Sequence, residues 1–422
     1  MTRPDRLELW LYGTHTGDLT RRRDDRVDLT WTDAAVDRWG DGARTLSHLL
    51  PLSPDRPPHP ARATAWLDGL MPEGRTRDQM AMEAGVDPED HLSFFTAYGG
   101  DTIGAVELRP PGTTRPAPEE PRPLDDADVA RLLREGVARA GGHGRSEHLT
   151  SSLPGMEPKI TLRHDGHGWT RPHGAEPTTH ILKVARPSDS PTADLVNTEA
   201  ASLDLARRVG LTTVDAHVTE FDGERCIVVT RYDRVPGPDG TTHRLHQEDT
   251  AQALGINTRD PERKFQHGRA LPSLARIARV LRDDGTRPDP LLALTTLNLA
   301  LGNTDAHAKN ISLLRHDDGT VRLAPAYDVS MHLHHAHASR TFAMDVAGTR
   351  DMDALTAADL VAEGTTWGLP RRRAQRAVTD TLDALSQALA DIDRDAHPGV
   401  GRRAWRTVEE RTRRLLAEAR EA

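Results

Sequence analysis

An α+β chain is predicted by three features of the sequence. Short alternating apolar segments dominate up to about residue 235, helical periodicity dominates from about residue 270, and a proline-rich stretch at 110–123 interrupts the first half. A β-rich half followed by a helical half is the outline of a two-lobed enzyme. With 422 residues the chain has room for two or three domains. Hydrophobic residues make up 36% and charged residues 28%, as in globular proteins; with aromatics at only 4%, the core must rest on Leu, Val, Ala and Ile. The net charge of −9 supplies no global basic field, which argues against non-specific nucleic-acid binding by the whole chain.

Each element follows from local pattern. Leu7 to Leu11 alternates, and Gly13 with Gly17-Asp18 marks a hairpin turn. A helix near 61–70 is ended by Gly69, and Met71-Pro72-Glu73-Gly74 acts as stop and turn. Gly99-Gly100-Asp101 precedes a short strand, Ile103 to Leu108. Residues 110–123 are too rich in proline for a helix or a central strand and read as a linker. A helix then starts at Asp125-Asp126-Ala127-Asp128 and ends near Gly141-Gly142, and 143–158 is a Gly/Ser/Pro-rich loop. Strands are predicted at 159–163, 179–185, 212–220 and 225–231, with a helix at 195–209. Helices follow at 271–282, 289–302, 355–364, 370–393 and 402–421. The arginine-rich faces at 371–376 and 402–414 carry interspersed Glu, Asp and Ala, the pattern of solvated helix surface. The one cysteine, Cys226, lies in the apolar run Cys226-Ile227-Val228-Val229, so it reads as a small buried hydrophobe. The segment MTRPDRLELW has no apolar signal-peptide core, and no stretch approaches the roughly 20 apolar residues of a membrane helix. A cytoplasmic protein without membrane partners is the expectation.

One constellation carries chemistry. Phosphoryl transfer needs a cation on the phosphates, a carboxylate beside the attacking hydroxyl, and oxygen ligands for magnesium. Gly302-Asn303-Thr304-Asp305-Ala306-His307-Ala308-Lys309-Asn310 follows an apolar helix, with Gly302 at its C-cap. Asp305 and Asn310 are five apart, the spacing of the protein-kinase catalytic loop, in which the Asp accepts the hydroxyl proton and the Asn ligates magnesium. An Asx-turn would use the same residue types. A hairpin, Ile311 to Leu314 and Val321 to Leu323 around Asp317-Asp318-Gly319, then leads to Asp328 at the end of Leu323-Ala324-Pro325-Ala326-Tyr327, where it can supply a second hard ligand. Upstream, His180-Ile181-Leu182-Lys183-Val184 resembles the lysine-bearing strand of kinases. A lysine inside an apolar strand needs a counter-charge; ATP phosphates and Glu199 would provide it, unless the side chain snorkels from an edge strand. The loop Ser151 to Lys159 matches neither a Gly-rich kinase loop nor a Walker A motif and by itself reads as surface.

In this order the signals identify a family resemblance. Met71-Pro72-Glu73-Gly74, Gly104-Ala105-Val106, Ser152-Leu153-Pro154-Gly155 with Lys159, Pro177 to Lys183, Arg231-Tyr232-Asp233-Arg234, Gln247-Glu248-Asp249, Thr304 to Asn310 and Tyr327-Asp328 resemble the HipA-type kinase toxins of bacterial toxin–antitoxin modules along nearly the whole chain. The resemblance implies a two-lobed kinase-like fold with an N-terminal β-rich subdomain and an all-helical C-terminal lobe. It divides the chain into the N-terminal subdomain (1–109), the linker (110–123), a nucleotide-binding lobe (124–235) and a helical catalytic lobe (236–422). It implies a serine/threonine protein kinase that uses ATP and Mg2+. Asp305 and His307 take catalytic positions and Asn310 and Asp328 metal positions. Lys183, Ser152, Gly155, Lys159, Glu199, Thr230, Tyr232 and Lys309 take ATP-side positions. Ser152 also aligns with the autophosphorylated serine, where added negative charge would repel ATP phosphates; Ser151 is its neighbour. Relatives phosphorylate aminoacyl-tRNA synthetases, so a translation component is the implied substrate. A small helix-turn-helix antitoxin (HipB-like) is the implied partner, with DNA reached only through it.

Two features depart from the family pattern. Where the loop usually reads G-x-Q-x-K, this chain has Gly155-Met156-Glu157-Pro158-Lys159, which puts a carboxylate near the expected phosphates; Thr230 stands where some relatives are acidic. The Glu157 change favours an alternative reading, a catalytically weak antitoxin-binding co-regulator. A histidine cluster, Met331 to His337, flanks Asp328 and reads as a loop beside the site, with a transition-metal site as the less favoured reading.

Overall fold

The computed structural model describes residues 3–113, 122–141, 153, 157–171, 176–237 and 241–421. Its first layer is an antiparallel sheet of β1 (Arg6–Leu11), β2 (Thr14–Arg21), β3 (Val27–Trp31) and β4 (Val106–Arg109), in the order β3-β2-β1-β4. Leu7, Leu9 and Leu11 are fully buried, so the alternation seen in the sequence is the pleat of β1. Four helices pack with this sheet: α1 (Asp33–Trp39), α2 (Pro60–Asp68), α3 (Gly74–Ala84) and α4 (His91–Tyr98). The unit expected to be β-rich is therefore equally helical. α3 escapes the periodicity test because its buried face is largely polar, with Arg77 and Gln79 beside Met80 and Ala81.

The second sheet has the order β5-β7-β6-β8-β10-β9 and is made of β5 (Pro123–Leu124), β6 (Lys159–His164), β7 (Trp169–Thr170), β8 (His180–Val184), β9 (Ala216–Phe221) and β10 (Glu224–Thr230). The last proline of the expected linker thus sits in an edge strand, where its missing N–H costs nothing; residues 114–121 lie outside the described residues. α5 (Asp126–Ala140) starts at Asp125, whose carboxylate accepts the Asp128 N–H at 2.8 Å, and stops at Gly141, as predicted. It covers one face of the sheet through Val129, Leu132 and Leu133, against Leu162, Leu182 and Val228. α6 (Leu195–Arg208) lies on the other face, with Ala200 and Leu203 in the core that holds Ile227 and Val229. The strand expected from 212 begins only at Ala216, because Thr212 instead gives its hydroxyl to the Ala326 carbonyl at 2.6 Å and Leu211 accepts the Ala326 N–H at 2.8 Å. Cys226 is buried, and burial pushes its thiol up to about 12.

Beyond the hinge come β11 (Arg234–Pro236), β12 (Thr242–Arg244), β13 (His246–Asp249) and the short α7 (Thr250–Ala253). Then follow α8 (Leu274–Asp283), α9 (Asp289–Leu301), β14 (Ser312–Arg315) and β15 (Val321–Leu323). The chain closes with β16 (Thr341–Val346), β17 (Thr349–Asp351), α10 (Ala357–Thr366), α11 (Arg371–Asp391) and α12 (Arg402–Glu421). The α+β class holds, but this half is not all helical: it carries the sheet β13-β14-β15 and the β16-β17 hairpin. α9 is buried on every side and runs through the helical core. The solvated reading of 402–414 fails at Arg411, which is buried and donates to the carbonyls of Leu299 and Met352, capping the C-terminal end of α9. No helix among the described residues is long and apolar enough to cross a membrane.

The first unit grips the second half through buried charge. Asp101 and Asp233 hold Arg231 and Arg234, with Arg231 to Asp233 at 2.8 Å and Arg234 to Asp101 at 3.0 Å, and the Asp233 carboxylate accepts the Gly104 N–H at 2.7 Å. Gly104 has φ +75, and a Cβ there would meet the Gln247 N at 2.8 Å, so only glycine fits this approach. A second lock joins α2, α3 and α4: the Arg77 guanidinium donates to Asp68 at 2.6 Å and His91 approaches the same oxygen at 3.2 Å. These partners outweigh burial and hold the Asp68 carboxyl at about 2, below its usual 3.8. A depressed carboxylate contributes stability that is complete above its unfolded value and lost as pH falls through the folded one. Asp68→Asn is expected to cost roughly 2–4 kcal/mol at neutral pH. In denaturant titrations the gap between wild type and variant should stay constant above about pH 4 and close toward pH 2; a gap independent of pH would contradict this assignment.

Candidate active site

The sequence builds one cleft where the three units meet. α9 ends at Gly302 in the left-handed conformation, and the chain turns into the loop 303–310. Asn303 makes the Asx-turn: its side-chain oxygen accepts the Asp305 N–H at 3.1 Å, while its amide donates to Asn298 at 2.7 Å. The Asp305 carbonyl then accepts the His307 N–H at 2.8 Å and the Asn310 side-chain amide at 2.8 Å. The Asx-turn and the chemical reading are thus compatible, since a different residue carries each. From outside, Thr250 donates to the Ala308 carbonyl, Tyr327 to the Lys309 carbonyl, and His332 Nδ1 faces the N–H and hydroxyl of Thr304 at 3.2 and 3.0 Å. A loop held at so many backbone groups leaves the Asp305 carboxylate free of hydrogen bonds from the described residues, 3.7 Å from His307 Nε2.

Charge organises the opposite wall. On β8 the alternation sends Leu182 into the core under α5 and leaves Ile181 and Lys183 facing the cleft. Lys183 stands opposite Lys159 on β6 in the antiparallel register. Directly opposed like charges repel, so this pair requires anions. Lys183 pairs with Glu199 of α6 at 2.7 Å and with Asp328. Asp328 sits at φ +55, a left-handed conformation that Asp tolerates better than most residues and that aims its carboxylate at Lys183. Against its own burial, the two carboxylates raise the Lys183 pKa, and Lys183 holds Asp328 well below the usual carboxylate range. Glu199, the more buried of the two carboxylates, is pushed upward by burial. Burial, reinforced by the Lys183 charge, pulls Lys159 down to about 8. The Asp305 side chain keeps 48% of its exposure, yet it lies inside a concavity; burial by the walls and the Asp328 charge raise it to about 7. Burial, with the Lys264 charge next, lowers His307 to about 3 and keeps it neutral.

Lys159, Lys183, Glu199, Thr230, Tyr232, Asp305, His307, Lys309, Asn310 and Asp328 all line this cleft of about 200 Å³. Ser152 and Gly155 lie outside the described residues. Lys309 lines the floor, but its ammonium is engaged, donating to Asp249 at 2.9 Å and to the Gly69 carbonyl at 3.2 Å, both side chains buried. Thr230 exchanges its hydroxyl with the Asp215 backbone, and Tyr232 lies against Tyr327 with ring centres 5.4 Å apart. Glu157 is paired with Arg186 at the rim. In the histidine cluster, His334 and His335 turn away from Asp305 and meet Asp194, at 2.8 and 2.7 Å.

Residues that sequence reasoning did not assign also face the cleft: Glu73 from the start of α3, and Lys264, whose ammonium lies 3.1 Å from the Glu73 carboxylate. A compositional signal could have found Lys264. Of the chain's 55 basic residues only four are lysine (159, 183, 264 and 309), leaving 51 arginines, and all four lysines line this one cleft.

The chain matches the model of the HipA N-terminal domain over residues 7–109 and that of the HipA-like C-terminal domain over residues 151–389, more than half its length. It belongs to the HipA family. Among HipA relatives, Y4mE of Sinorhizobium fredii is 32% identical over 406 residues, covering 91% of this chain and 92% of the relative. The serine/threonine-protein kinase toxin HipA of Shewanella oneidensis is 25% identical over 370 residues, covering 84% of this chain and 82% of the toxin. The fold is that of HipA from Shewanella oneidensis MR-1, solved with HipB and its operator DNA, with a TM-score of 0.82 and 23% identity over 98% of each chain. In this HipA-family chain the Lys309–Asp249 pair joins the 303–310 loop to α7, whose N-terminus Asp249 also caps. Lys309→Met should cost roughly 3–5 kcal/mol by leaving Asp249 buried and unpaired. Thermal unfolding of Lys309→Met, Asp249→Asn and the double variant should show the double losing less than the sum of the singles; additive losses would contradict the pairing.

Proposed function

We propose that this protein is an ATP- and magnesium-dependent serine/threonine protein kinase of the toxin type. The observation that carries the reading is that Lys183, Asp305, Asn310 and Asp328, as much as 145 residues apart, face one cleft. In this reading Lys183, held by Glu199, binds phosphate oxygens of ATP, with Lys159 across the strand pair as a second cation. The base enters between Ile181, Val229 and Tyr232, beside Thr230. Asp305 accepts the proton of the acceptor hydroxyl as its oxygen bonds to the γ-phosphorus; the bond from that phosphorus to the β–γ bridging oxygen breaks and ADP leaves. A carboxyl raised to about 7 suits proton transfer near neutral pH.

The donors present fit magnesium. Asn310 donates its amide nitrogen to the Asp305 carbonyl, which leaves its oxygen for the cleft, and Asp328 offers a carboxylate. Bound there, Mg2+ would supply charge neutralisation for the phosphates. Lys183 shares Asp328 in the nucleotide-free chain, a contact the phosphates would draw away.

By the same reading Ser152 is the autophosphorylated residue, a translation component such as an aminoacyl-tRNA synthetase is the substrate, and a HipB-like helix-turn-helix protein is the partner through which DNA is reached. The alternative, a catalytically weak co-regulator, rested on Glu157, and its ion pair with Arg186 reduces the repulsion that alternative needs.

Incubation with γ-labelled ATP and Mg2+ should label the chain at Ser152. Asp305→Asn should slow labelling by roughly 10²–10⁴-fold, and Asp328→Asn should remove its dependence on Mg2+. A wild-type chain that neither binds nucleotide nor becomes labelled would overturn the proposal.

A further inference from the structure

We propose that Lys264 is the cation that binds the γ-phosphate of ATP at the acceptor end of the cleft, held in readiness by Glu73. The inference rests on the kinase reading above and assigns a role to a side chain which that reading leaves idle.

Transfer moves charge onto the γ-phosphoryl group and the bridging oxygen, and a preorganised cation beside that group accelerates the step. Lys183 and Lys159 lie on the sheet wall, on the side of Glu199 and Asp328. At the Asp305 end the neighbouring groups supply no free positive charge. His307 is neutral, and Lys309 is committed to Asp249 and the Gly69 carbonyl. Lys264 remains. It lines the cleft together with Asp305 and His307, and its charge is felt by both.

The support is rigid. Lys264 ends the single 3-10 turn Pro261–Lys264, and Phe265 follows with its ring edge-on to His307, centres 5.1 Å apart. Gln266 then anchors the segment, donating its N–H to the Ala343 carbonyl at 3.0 Å and its side-chain amide to Asp345 at 2.9 Å. The ammonium is buried and has one carboxylate partner, Glu73 at 3.1 Å. A single monodentate contact leaves ammonium hydrogens for a ligand.

Residue choice gives the second, independent observation. Every other buried carboxylate–cation lock of this chain outside the cleft is built with arginine or histidine, as at Asp68, Asp101, Asp233 and Glu248. Arginine forms the better bidentate pair with a carboxylate; lysine presents a compact point charge that turns toward a phosphate. A purely structural tie to Glu73 would favour arginine, as elsewhere in the molecule. The four lysines instead lie together where phosphates would sit.

The test compares AMP-PNP and ADP, each with Mg2+, by calorimetric titration of the full chain, alongside labelling rates and thermal unfolding. Lys264→Met should weaken AMP-PNP by roughly tenfold, leave ADP within about twofold, and slow phosphate transfer about 100-fold or more. Lys264→Arg should restore thermal stability through the Glu73 pair yet recover only part of the rate. If Lys264→Met lowers AMP-PNP and ADP affinity equally, or if Lys264→Arg restores rate and stability together, Lys264 is only a tie between units and the inference is overturned. Glu73→Gln separates the two further, since a tie would lose stability with it as with Lys264→Met, whereas a γ-phosphate ligand keeps its preference for AMP-PNP over ADP. Failure of the wild-type chain to bind either nucleotide would instead overturn the kinase reading itself.

Discussion

The cleft depends on one electrostatic requirement: Lys183 and Lys159 face each other across adjacent strands, and their repulsion has to be met by anions. Glu199 answers it from α6 and Asp328 from the loop after β15. Those two carboxylates come from elements with no covalent reason to meet, so the lysine pair specifies how α6 and the Asp328 loop sit on the sheet. Secondary contacts reinforce the same placement. Thr198 of α6 shares a hydrogen bond with Ser330 at 2.8 Å, and Thr212 and Leu211 hold Ala326 just ahead of Asp328.

Satisfying the lysines leaves excess negative charge at the other end. Asp305 has no cation in direct contact, and the Asp328 charge together with burial raises it. The cleft is therefore polarised: a cation-rich sheet wall and a carboxylate poised near neutrality are held apart by a neutral histidine. This field suits a polyanion that arrives with a divalent ion, and it is costly without one. The N-terminal unit takes part in it rather than standing aside. Glu73 reaches Lys264, the Gly69 carbonyl receives Lys309, and Gly104 closes on the hinge carboxylate Asp233. Substitutions far from the cleft in that unit can thus reach it through single buried contacts.

Much of this was legible in the sequence, for identifiable reasons. Leu7, Leu9 and Leu11 alternate because one face of β1 is core, and Asp125 and Gly141 bracket α5 with ordinary capping chemistry. The spacing of Asp305 and Asn310 after an all-apolar helix marked the loop. What was missed is polar and buried. His246-Gln247-Glu248-Asp249 forms a strand whose four residues are all buried, each satisfied by distant partners such as Arg315 and Lys309, so no apolar period announces it. α3 hides behind Arg77 and Gln79 for the same reason. Arg411 reads as one more surface arginine until the α9 carbonyls it caps are known. Lys264 lies in a run of charged residues, and only the scarcity of lysine elsewhere singles it out.

The most direct measurement is a crystal structure of the full chain with AMP-PNP and Mg2+. The account predicts the triphosphate between the β6–β8 lysines and Asp305, the Lys183–Glu199 pair retained, and the Lys183–Asp328 contact opened with Asp328 and Asn310 on the metal. A nucleotide bound elsewhere, or a Lys183–Asp328 contact unchanged beside bound triphosphate, would contradict it.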